Sequence, residues 1–362
     1  MEALSEFQLL RPRTLADLVA ARTAHGDSRL IGGGTDLIVN MRRGILSPCV
    51  LIDVNGIGEL HGLRAEAGAL ELGAAVTLEE LASDLHLARH YPVVAQAAAS
   101  IAGPTHRHMG TVGGNLCLDT RCIFYNQSQW WRAANNHCLK TTGEICHVAP
   151  KSRGVCFATF SGDLAPALLT LAAEVELLGP NGRRCLPLER LYIGHARHDG
   201  AGEGDGKRYL ALAPGEFVVR VFARGKPGRR SGYDKIRIRR SIEFPVAGVA
   251  VALSRQGDRL TELSVAITGT NPRPVLLEGT DALTGGRLDE AVFDGLERLI
   301  RDQVMSMKTT FTPGHYRRRV AGVLARRLVK RLYGEDEPDR ANPGGRAETG
   351  GPTAPDVPGT QD

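Results

Sequence analysis

Residues 31–44 read IGGGTDLIVNMRRG: a strand end, three glycines, a Thr-Asp pair and then an apolar stretch of helical character. Glycines permit positive φ and let backbone N–H groups approach a ligand, and a helix start favours an anion. The loop is not a GxGxxG fingerprint, because Leu37 stands where a third glycine is needed, and it lacks the Lys-Ser/Thr of a P-loop. It is a candidate diphosphate cradle, although a tight turn capped by Thr35 or Asp36 is the plainer interpretation.

Two further polar motifs follow along the chain. Residues 110–116 read GTVGGNL, and residues 161–169 read SGDLAPALL. The paired glycines of the first again permit close backbone approach, and Thr111 and Asn115 supply short polar groups suited to phosphate or ribose oxygens. Asp163 precedes a predicted helix start, where it is either a helix cap or an acceptor for ligand hydroxyls. Together with the first loop, these motifs predict one extended ligand.

Alternating helices and strands are predicted around these loops in the N-terminal third. Residues 14–17 and 77–80 each place a threonine three residues before a carboxylate, which is the capping-box pattern. Short apolar runs at residues 28–31 and 50–54 predict strands. Between residues 168 and 219, further strands are predicted, broken by turns at residues 179–182 and 214–215. This pattern is typical of α/β or α+β architecture.

A separate C-terminal unit is predicted after Gly228. Its expected elements are strands near residues 233–239, 246–253 and 263–268, and helices at about 288–306 and 314–332. The remaining residues, 334–362, are rich in Pro, Gly and acidic side chains and hold almost no large apolar residue. Burial cannot offset the entropy cost of ordering such a segment, so this tail is predicted to be disordered.

Composition narrows the class of protein. The 362 residues are 42% hydrophobic, 23% charged and 5% aromatic, which is typical of a soluble globular chain with two or three compact units. The net charge is +5, but the basic residues fall in short groups rather than one stripe, so no nucleic-acid partner is expected. The sequence has no run of about 18 apolar residues and no secretory h-region, so we expect a cytoplasmic protein without a membrane span.

Five of the seven cysteines fall within residues 117–156, whereas Cys49 and Cys185 are isolated and expected to be ordinary thiols. Four of the five are separated by 15, 7 and 9 residues, too far apart for the close CxxC pairs of zinc ribbons or ferredoxins: Cys122, Cys138, Cys146 and Cys156. Four thiolates folded around one centre could nonetheless bind a metal. Spacing alone leaves zinc, an iron-sulfur cluster and unliganded thiols open.

The motifs IGGGTDL, GTVGGNL and SGDLAPAL, in this order, resemble the FAD-binding motifs of the flavoprotein subunits of molybdenum hydroxylases, including xanthine and carbon monoxide dehydrogenases. The resemblance spans residues 6–332 and implies an α+β fold. A two-subdomain FAD-binding domain of the PCMH type, similar to vanillyl-alcohol oxidase, would occupy residues 1–227, with subdomains at about 1–55 and 56–227. A CO dehydrogenase flavoprotein-type C-terminal α+β domain would follow at 228–333.

The same resemblance implies which residues contact FAD. The first two loops would hold the diphosphate, Asp163 would hydrogen-bond the ribityl chain, and Lys235 would lie near the flavin ring. The implied FAD-binding residues are Ile31, Gly32, Gly33, Gly34, Thr35, Asp36, Leu37, Ile101, Thr111, Val112, Gly113, Gly114, Asn115, Ile123, Asp163 and Lys235. No general acid or base stands out, so no catalytic residue is predicted in this chain.

The interval between Asn115 and Asp163 departs from ordinary members of that family, which pass between these motifs in a few residues. Its segments RCIFYNQSQWWR, CLKTTGEICHV and VCFATFSGD resemble the cluster-bearing loop of the middle subunits of 4-hydroxybenzoyl-CoA reductases, and GPTHR before the second loop matches the same subunits. The resemblance implies a [4Fe-4S] insertion at residues 117–160. Its four implied ligands are Cys122, Cys138, Cys146 and Cys156.

Other residues of the insertion are expected to support the cluster. Cys117 is expected to be a buried thiol, and His137 and His147 are placed to donate hydrogen bonds to sulfur. Four aromatic side chains are expected to shield the site: Phe124, Tyr125, Trp130 and Trp131.

The function implied by the resemblance is an electron relay. Reduced ferredoxin would supply electrons to the [4Fe-4S] cluster and FAD, and these would reach a small [2Fe-2S] subunit and a large molybdenum-cofactor subunit in a dimer of heterotrimers. The net reaction would be reductive removal of the phenolic hydroxyl of 4-hydroxybenzoyl-CoA on a partner chain. Two alternatives stay open: the FAD subunit of another molybdenum hydroxylase acting on an aromatic, heterocyclic or aldehyde substrate, and a zinc-stapled nucleotide-binding protein.

Overall fold

The computed structural model describes residues 4–193, 205–239, 242–305 and 307–334. Apart from Gly334, the predicted disordered tail lies outside the described residues. The strands are β1 (Gln8–Leu10), β2 (Arg29–Ile31), β3 (Val50–Asp53), β4 (Leu63–Glu66), β5 (Ala69–Gly73), β6 (Glu174–Gly179), β7 (Gly182–Pro187), β8 (Phe217–Arg224), β9 (Arg230–Ile236), β10 (Ala247–Gln256), β11 (Arg259–Thr268) and β12 (Val275–Leu276).

The helices are mostly short, and the two longest lie at the C-terminal end of the described chain. They are α1 (Leu15–Ala24), α2 (Leu37–Arg42), α3 (Leu78–Ser83), α4 (Leu85–His90), α5 (Pro92–Ser100), α6 (Pro104–Arg107), α7 (Val112–Leu116), α8 (Gln129–Ala134), α9 (Leu164–Thr170), α10 (Glu290–Gln303) and α11 (Gly314–Gly334). Within the described ranges, none of them combines the length and the apolar character that crossing a membrane requires.

The first sheet consists of three short parallel strands in the order β1-β3-β2. Parallel neighbours need a crossover connection, which α1 and α2 supply. The first glycine loop follows β2 directly, so it lies at the carboxyl end of this sheet. Ligands of open α/β sheets bind at that end of the strands.

The second sheet is antiparallel, with five strands in the order β4-β5-β8-β6-β7. Residues 74–173 interrupt it between β5 and β6 and carry helices α3 to α9. This interruption contains the second glycine loop, the cysteine segment and the SGD motif. The β6–β7 hairpin turns at Gly182, where φ is +94°, as the predicted turn at residues 179–182 requires.

The third sheet has the order β12-β11-β10-β9, and its strand β10 is buried on both faces over most of its length. Successive residues of a strand point to opposite faces, and β10 shows the consequence. Val249 and Val251 join the core formed with α10 and α11, whereas Ala250 joins the larger core that contains α5 and α9. Small alanines on this face let α9 pack against β10 and β11. Strand β9, at the edge of the sheet, reaches the start of α9 through side-chain contacts with Asp163.

The helix caps expected from the sequence are present. Thr77 and Glu80 form the reciprocal capping box at the start of α3, and the Thr14 hydroxyl accepts from the Asp17 N–H at 3.1 Å at the start of α1. The strands and helices predicted after Gly228 are confirmed as β9, β10, β11, α10 and α11, with boundaries displaced by a few residues.

Candidate flavin and cysteine sites

The first glycine loop, residues 32–36, presents five backbone N–H groups between β2 and α2. None of the five donates to an acceptor in the described part of the chain, so they can bind the oxygens of a diphosphate. Gly34 has φ +68°, a conformation that glycine adopts without strain. A Cβ on Gly33 would lie 1.8 Å from the carbonyl oxygen of Met109, so close backbone packing requires glycine there.

The second glycine loop lies directly against the first. A Cβ on Gly32 would lie 3.0 Å from Cγ2 of Thr111. The N–H groups of residues 112–115 are already bonded inside the protein, to acceptors on Val76, Ala74 and Thr111. The sequence predicts diphosphate contacts from both loops. The backbone donors of the first loop are free, whereas the second loop offers close backbone approach and the Thr111 hydroxyl.

Asn115 connects the second loop to the SGD motif. Its Oδ1 accepts from the Leu164 N–H at 3.1 Å, at the start of α9. Gly162 lies so close to Asn115 that a Cβ would come within 2.7 Å of the Asn115 carbonyl oxygen. The three motifs, far apart in sequence, are therefore in contact with one another.

Asp163 accepts hydrogen bonds from two side chains of β9. Lys235 Nζ lies 3.0 Å from Oδ2, and the Tyr233 hydroxyl donates to Oδ1. The Lys235 and Asp163 side chains are each only 3% exposed, so this is a buried ion pair. Burial, followed by the negative charge of Asp163, raises the pKa of Tyr233 well above its usual value. Two residues predicted to contact FAD are thus direct partners of each other.

The remaining predicted FAD contacts lie nearby but are occupied in packing or backbone bonding. Val112 is fully buried in the larger core, and Ile101 packs against that core. Ile123 donates its N–H to the Thr309 carbonyl at 2.9 Å, which ties the insertion to the C-terminal part of the chain. Contact of these three residues with FAD stays a prediction.

The four spaced cysteines of the insertion are neighbours in pairs. Cys138, Cys146 and Cys156 are buried, and Cys122 is partly buried. The interaction between the sulfurs of Cys146 and Cys156 lowers the pKa of Cys146 and raises that of Cys156. Burial raises the pKa of Cys122 to about 11, with a smaller contribution in the same direction from the nearby sulfurs of Cys138 and Cys146. Each of the four thiols therefore has at least one of the others as a neighbour, although within the described ranges no three of them form a group that could hold a single metal ion.

Three of these sulfurs also accept a hydrogen bond. The Tyr125 N–H lies 3.4 Å from the Cys122 sulfur, the Ala158 N–H lies 3.5 Å from the Cys156 sulfur, and the Thr141 hydroxyl lies 3.9 Å from the Cys138 sulfur. Backbone N–H groups of Phe157, Ala149 and Val148 contribute to the lowered pKa of Cys146. Such donors stabilise thiolates, and they tune the reduction potential of an iron-sulfur cluster that the thiolates bind.

Side chains around the four thiols differ in part from the sequence expectation. Tyr125 is buried and Trp131 packs on Phe124, with ring centroids 6.4 Å apart, but Trp130 is 76% exposed and does not shield the site. The expectation that His147 donates to sulfur is not met at Nε2, which instead bonds the His137 carbonyl at 2.6 Å.

Cys117, the fifth cysteine of the segment, lies apart from the four. It packs against the larger core, as expected of a buried thiol, although it retains some exposure. Burial raises its pKa to about 12, so it is an unreactive neutral thiol at physiological pH.

Lys140 is a buried cation that the sequence reasoning missed. Its Nζ lies 2.7 Å from Asp119 Oδ1 and 2.6 Å from the Thr120 carbonyl, and 4.6 Å from the centroid of the Tyr125 ring. Tyr233 was also missed, although it stands two residues before Lys235 and therefore on the same face of β9. Alternation along the predicted strand could have identified Tyr233, whereas Lys140 depends on long-range folding.

The fold and the three joined motifs define a class of protein: a flavoprotein with an FAD-binding domain and a C-terminal α+β domain. Two family models match these domains. The "FAD binding domain in molybdopterin dehydrogenase" matches residues 5–223, and the "CO dehydrogenase flavoprotein C-terminal domain" matches residues 232–332.

Individual relatives cover nearly the whole chain. The chain is 28% identical to the carbon monoxide dehydrogenase medium chain of Afipia carboxidovorans, over 90% of this chain and 96% of that one. It is 31% identical to the FAD-binding subunit of an Escherichia coli aldehyde oxidoreductase, over 81% and 90%. A reconstituted CO dehydrogenase from Oligotropha carboxidovorans superposes with a TM-score of 0.72 at 26% identity, over 92% of this chain and 99% of that one. The chain belongs to the family of FAD-binding subunits of molybdenum hydroxylases of the xanthine and CO dehydrogenase type.

Proposed function

We propose that this oxidoreductase subunit carries a [4Fe-4S] cluster in addition to FAD and serves a reductase of the 4-hydroxybenzoyl-CoA type. The observation that carries the proposal is that Cys122, Cys138, Cys146 and Cys156 are neighbours in pairs within an insertion that contacts the first glycine loop. The insertion is in direct contact with the first loop, because Arg121 forms an ion pair with Asp36. An electron-transfer subunit needs its two redox groups close together, and this contact supports that arrangement.

The donor set, four thiols in one insertion, is the set that iron-sulfur clusters use. A single zinc would need its thiolates about 2.3 Å from one centre, and in the described residues no three His, Cys, Asp or Glu side chains form a group that could hold one metal ion. Burial and N–H···S hydrogen bonds are the surroundings that such clusters require.

The chemistry supplied by the bound groups would be one-electron and two-electron transfer. Two electrons from reduced ferredoxin and two protons would convert 4-hydroxybenzoyl-CoA to benzoyl-CoA and water, with the substrate bound on a molybdenum-containing partner. A small [2Fe-2S] subunit would complete each heterotrimer, and two heterotrimers would pair in the cytoplasm. This chain would contribute cofactor binding and no general acid or base.

Different residues of this chain would bind different parts of FAD. The free N–H groups of residues 32–36 would hold the diphosphate, and Thr111 would add a hydroxyl. Asp163 would accept a ribityl hydroxyl while it holds Lys235, whose ammonium would then lie near the flavin ring. We propose domain limits of 1–227 and 228–333, with the cluster insertion at 117–160.

A second candidate is the FAD subunit of another molybdenum hydroxylase. The similarity to a carbon monoxide dehydrogenase medium chain and to an aldehyde oxidoreductase subunit favours it. Under this alternative the four cysteines would hold no iron, and the substrate of the partner would be an aldehyde, a heterocycle or another aromatic compound. Iron bound at the insertion distinguishes the two candidates.

Replacing Cys138 by serine tests the ligand assignment. The variant Cys138→Ser is expected to lose nearly all of its iron, because a serine hydroxyl is a poor substitute for a buried thiolate ligand. It should still bind FAD when FAD is supplied at saturating concentration, since Cys138 lies outside the glycine loops. Iron content and flavin absorption of anaerobically purified protein measure both effects.

Cys185→Ser is the matched control, because Cys185 is exposed on β7, outside the insertion. It should retain iron and FAD at wild-type levels. Unchanged iron in Cys138→Ser would refute the ligand assignment.

A further inference from the structure

The cysteine insertion contacts the first glycine loop at the start of α2. The Arg121 guanidinium forms an ion pair with the Asp36 carboxylate, which also accepts from Asn40 Nδ2 at 3.0 Å. Asp36 is the last residue of the loop and the N-cap position of α2. Arg121 also lies 4.1 Å from the centroid of the Phe244 ring, so its guanidinium is held on two sides.

A second arginine of the insertion contacts the other end of the same helix. Arg132 NH2 donates to the carbonyls of Arg43 at 3.0 Å and Gly44 at 2.8 Å, immediately after α2 ends at Arg42. Carbonyls at a helix C-terminus lack partners within the helix, and a cation there also interacts favourably with the helix dipole. Arg132 is only 2% exposed, so these contacts are shielded from water.

Both arginines are tied to the proposed cluster ligands through the backbone. Arg121 directly precedes Cys122, and its N–H and carbonyl pair with Thr159 at 2.9 and 2.8 Å. The Arg132 carbonyl accepts from the His137 N–H at 2.7 Å, one residue before Cys138. Arg132 NH2 is further held by Gln129 Oε1 at 2.8 Å. The position of each guanidinium therefore depends on how the cysteine segment is folded.

We infer that Arg121 and Arg132 hold α2 from both ends and thereby couple assembly of the cysteine centre to FAD affinity. This inference rests on the proposed function, because it takes the cluster as the group that orders the insertion. Neither arginine belongs to the FAD contacts predicted for this chain, so both are positioning residues. When the cluster is in place, the two contacts fix the loop whose free N–H groups would bind the diphosphate.

Linkage makes the coupling reciprocal. If the cluster strengthens FAD binding, bound FAD must protect the cluster from loss by the same factor. Couplings between sites are commonly about 5- to 150-fold in affinity. Removing one guanidinium contact should greatly reduce the effect of the cluster on FAD affinity. The four thiols and the glycine loop would remain chemically unchanged.

The test compares the Kd for FAD in wild type, Arg132→Met and Arg42→Met, each with its iron and after anaerobic chelation of the iron. Arg42 is the matched control, because it is an exposed arginine at the same end of α2. Wild type and Arg42→Met should bind FAD at least about 5-fold more weakly once iron is removed. Arg132→Met should bind weakly in both forms, with little dependence on iron. The rate of iron loss with and without FAD provides the reciprocal measurement.

Two results would overturn the coupling while the proposed function stands. One is wild-type protein that holds iron but binds FAD equally well after its removal. The other is an Arg132→Met variant whose FAD affinity still depends on iron as in wild type, which would make Arg132 merely structural. Absence of iron from freshly purified wild type would instead refute the proposed function, and the coupling with it.

Discussion

Replacing Gly33 by alanine is expected to abolish FAD binding at micromolar cofactor concentration. The new Cβ would lie 1.8 Å from the Met109 carbonyl oxygen, which is backbone and cannot rotate away, so the glycine loop must move. Movement misaligns the free N–H groups of residues 32–36. Losing two charge-assisted hydrogen bonds, at about 1.5–3 kcal/mol each, weakens binding by roughly 100-fold or more. Titration of FAD-free protein by flavin fluorescence measures the change in Kd.

Gly62→Ala is the control for this experiment, since a Cβ on Gly62 meets nothing within 4 Å. It should bind FAD as wild type does. Wild-type affinity in Gly33→Ala would show that the first glycine loop does not contact the cofactor.

Of the single substitutions considered for this chain, Asp163→Ala should cause the largest decrease in the free energy of unfolding. Lys235 would be left as an uncompensated charge at 3% exposure, and removing one partner of a buried pair costs about 3–5 kcal/mol. Tyr233 would lose its acceptor as well. Urea unfolding of the FAD-free protein, followed by circular dichroism, measures the change in the free energy of unfolding.

The double variant Asp163→Ala/Lys235→Met separates charge burial from shape. It should recover most of the stability lost in Asp163→Ala, because no unpaired charge remains. Glu66→Ala, which breaks the fully exposed Arg64–Glu66 pair, should change stability little. Equal losses in the single and double variants of the buried pair would contradict the charge argument.

Local signals in the sequence predicted the features that depend on neighbouring residues. The capping box at Thr77 follows from a carboxylate three residues after a threonine. The turn at Gly182 follows from the positive φ that glycine allows, and the C-terminal strands and helices follow from the periodicity of apolar residues. The FAD-binding motifs could be recognised for the same reason, since each is a short run of glycines and small polar residues. Resemblance then supplied their order.

Long-range contacts could not be read from the sequence. The Asp163–Lys235 pair depends on how the third sheet packs against α9, which alanines on one face of β10 allow. The contact of Arg132 with the end of α2 joins residues 88 positions apart or more. Trp130 is exposed although aromatic residues were expected to shield the cysteines, because α8 turns that side chain outward while Trp131 packs inward.

The central claim is that one chain carries both FAD and a [4Fe-4S] cluster. Iron, acid-labile sulfide and FAD counted in the same anaerobically purified wild-type sample test it most directly. We predict about four iron and four sulfide per FAD and per chain, which is the content of one [4Fe-4S] cluster held by four thiolates. FAD at one per chain with zinc, or with no metal at all, would contradict the claim and favour an FAD-only subunit.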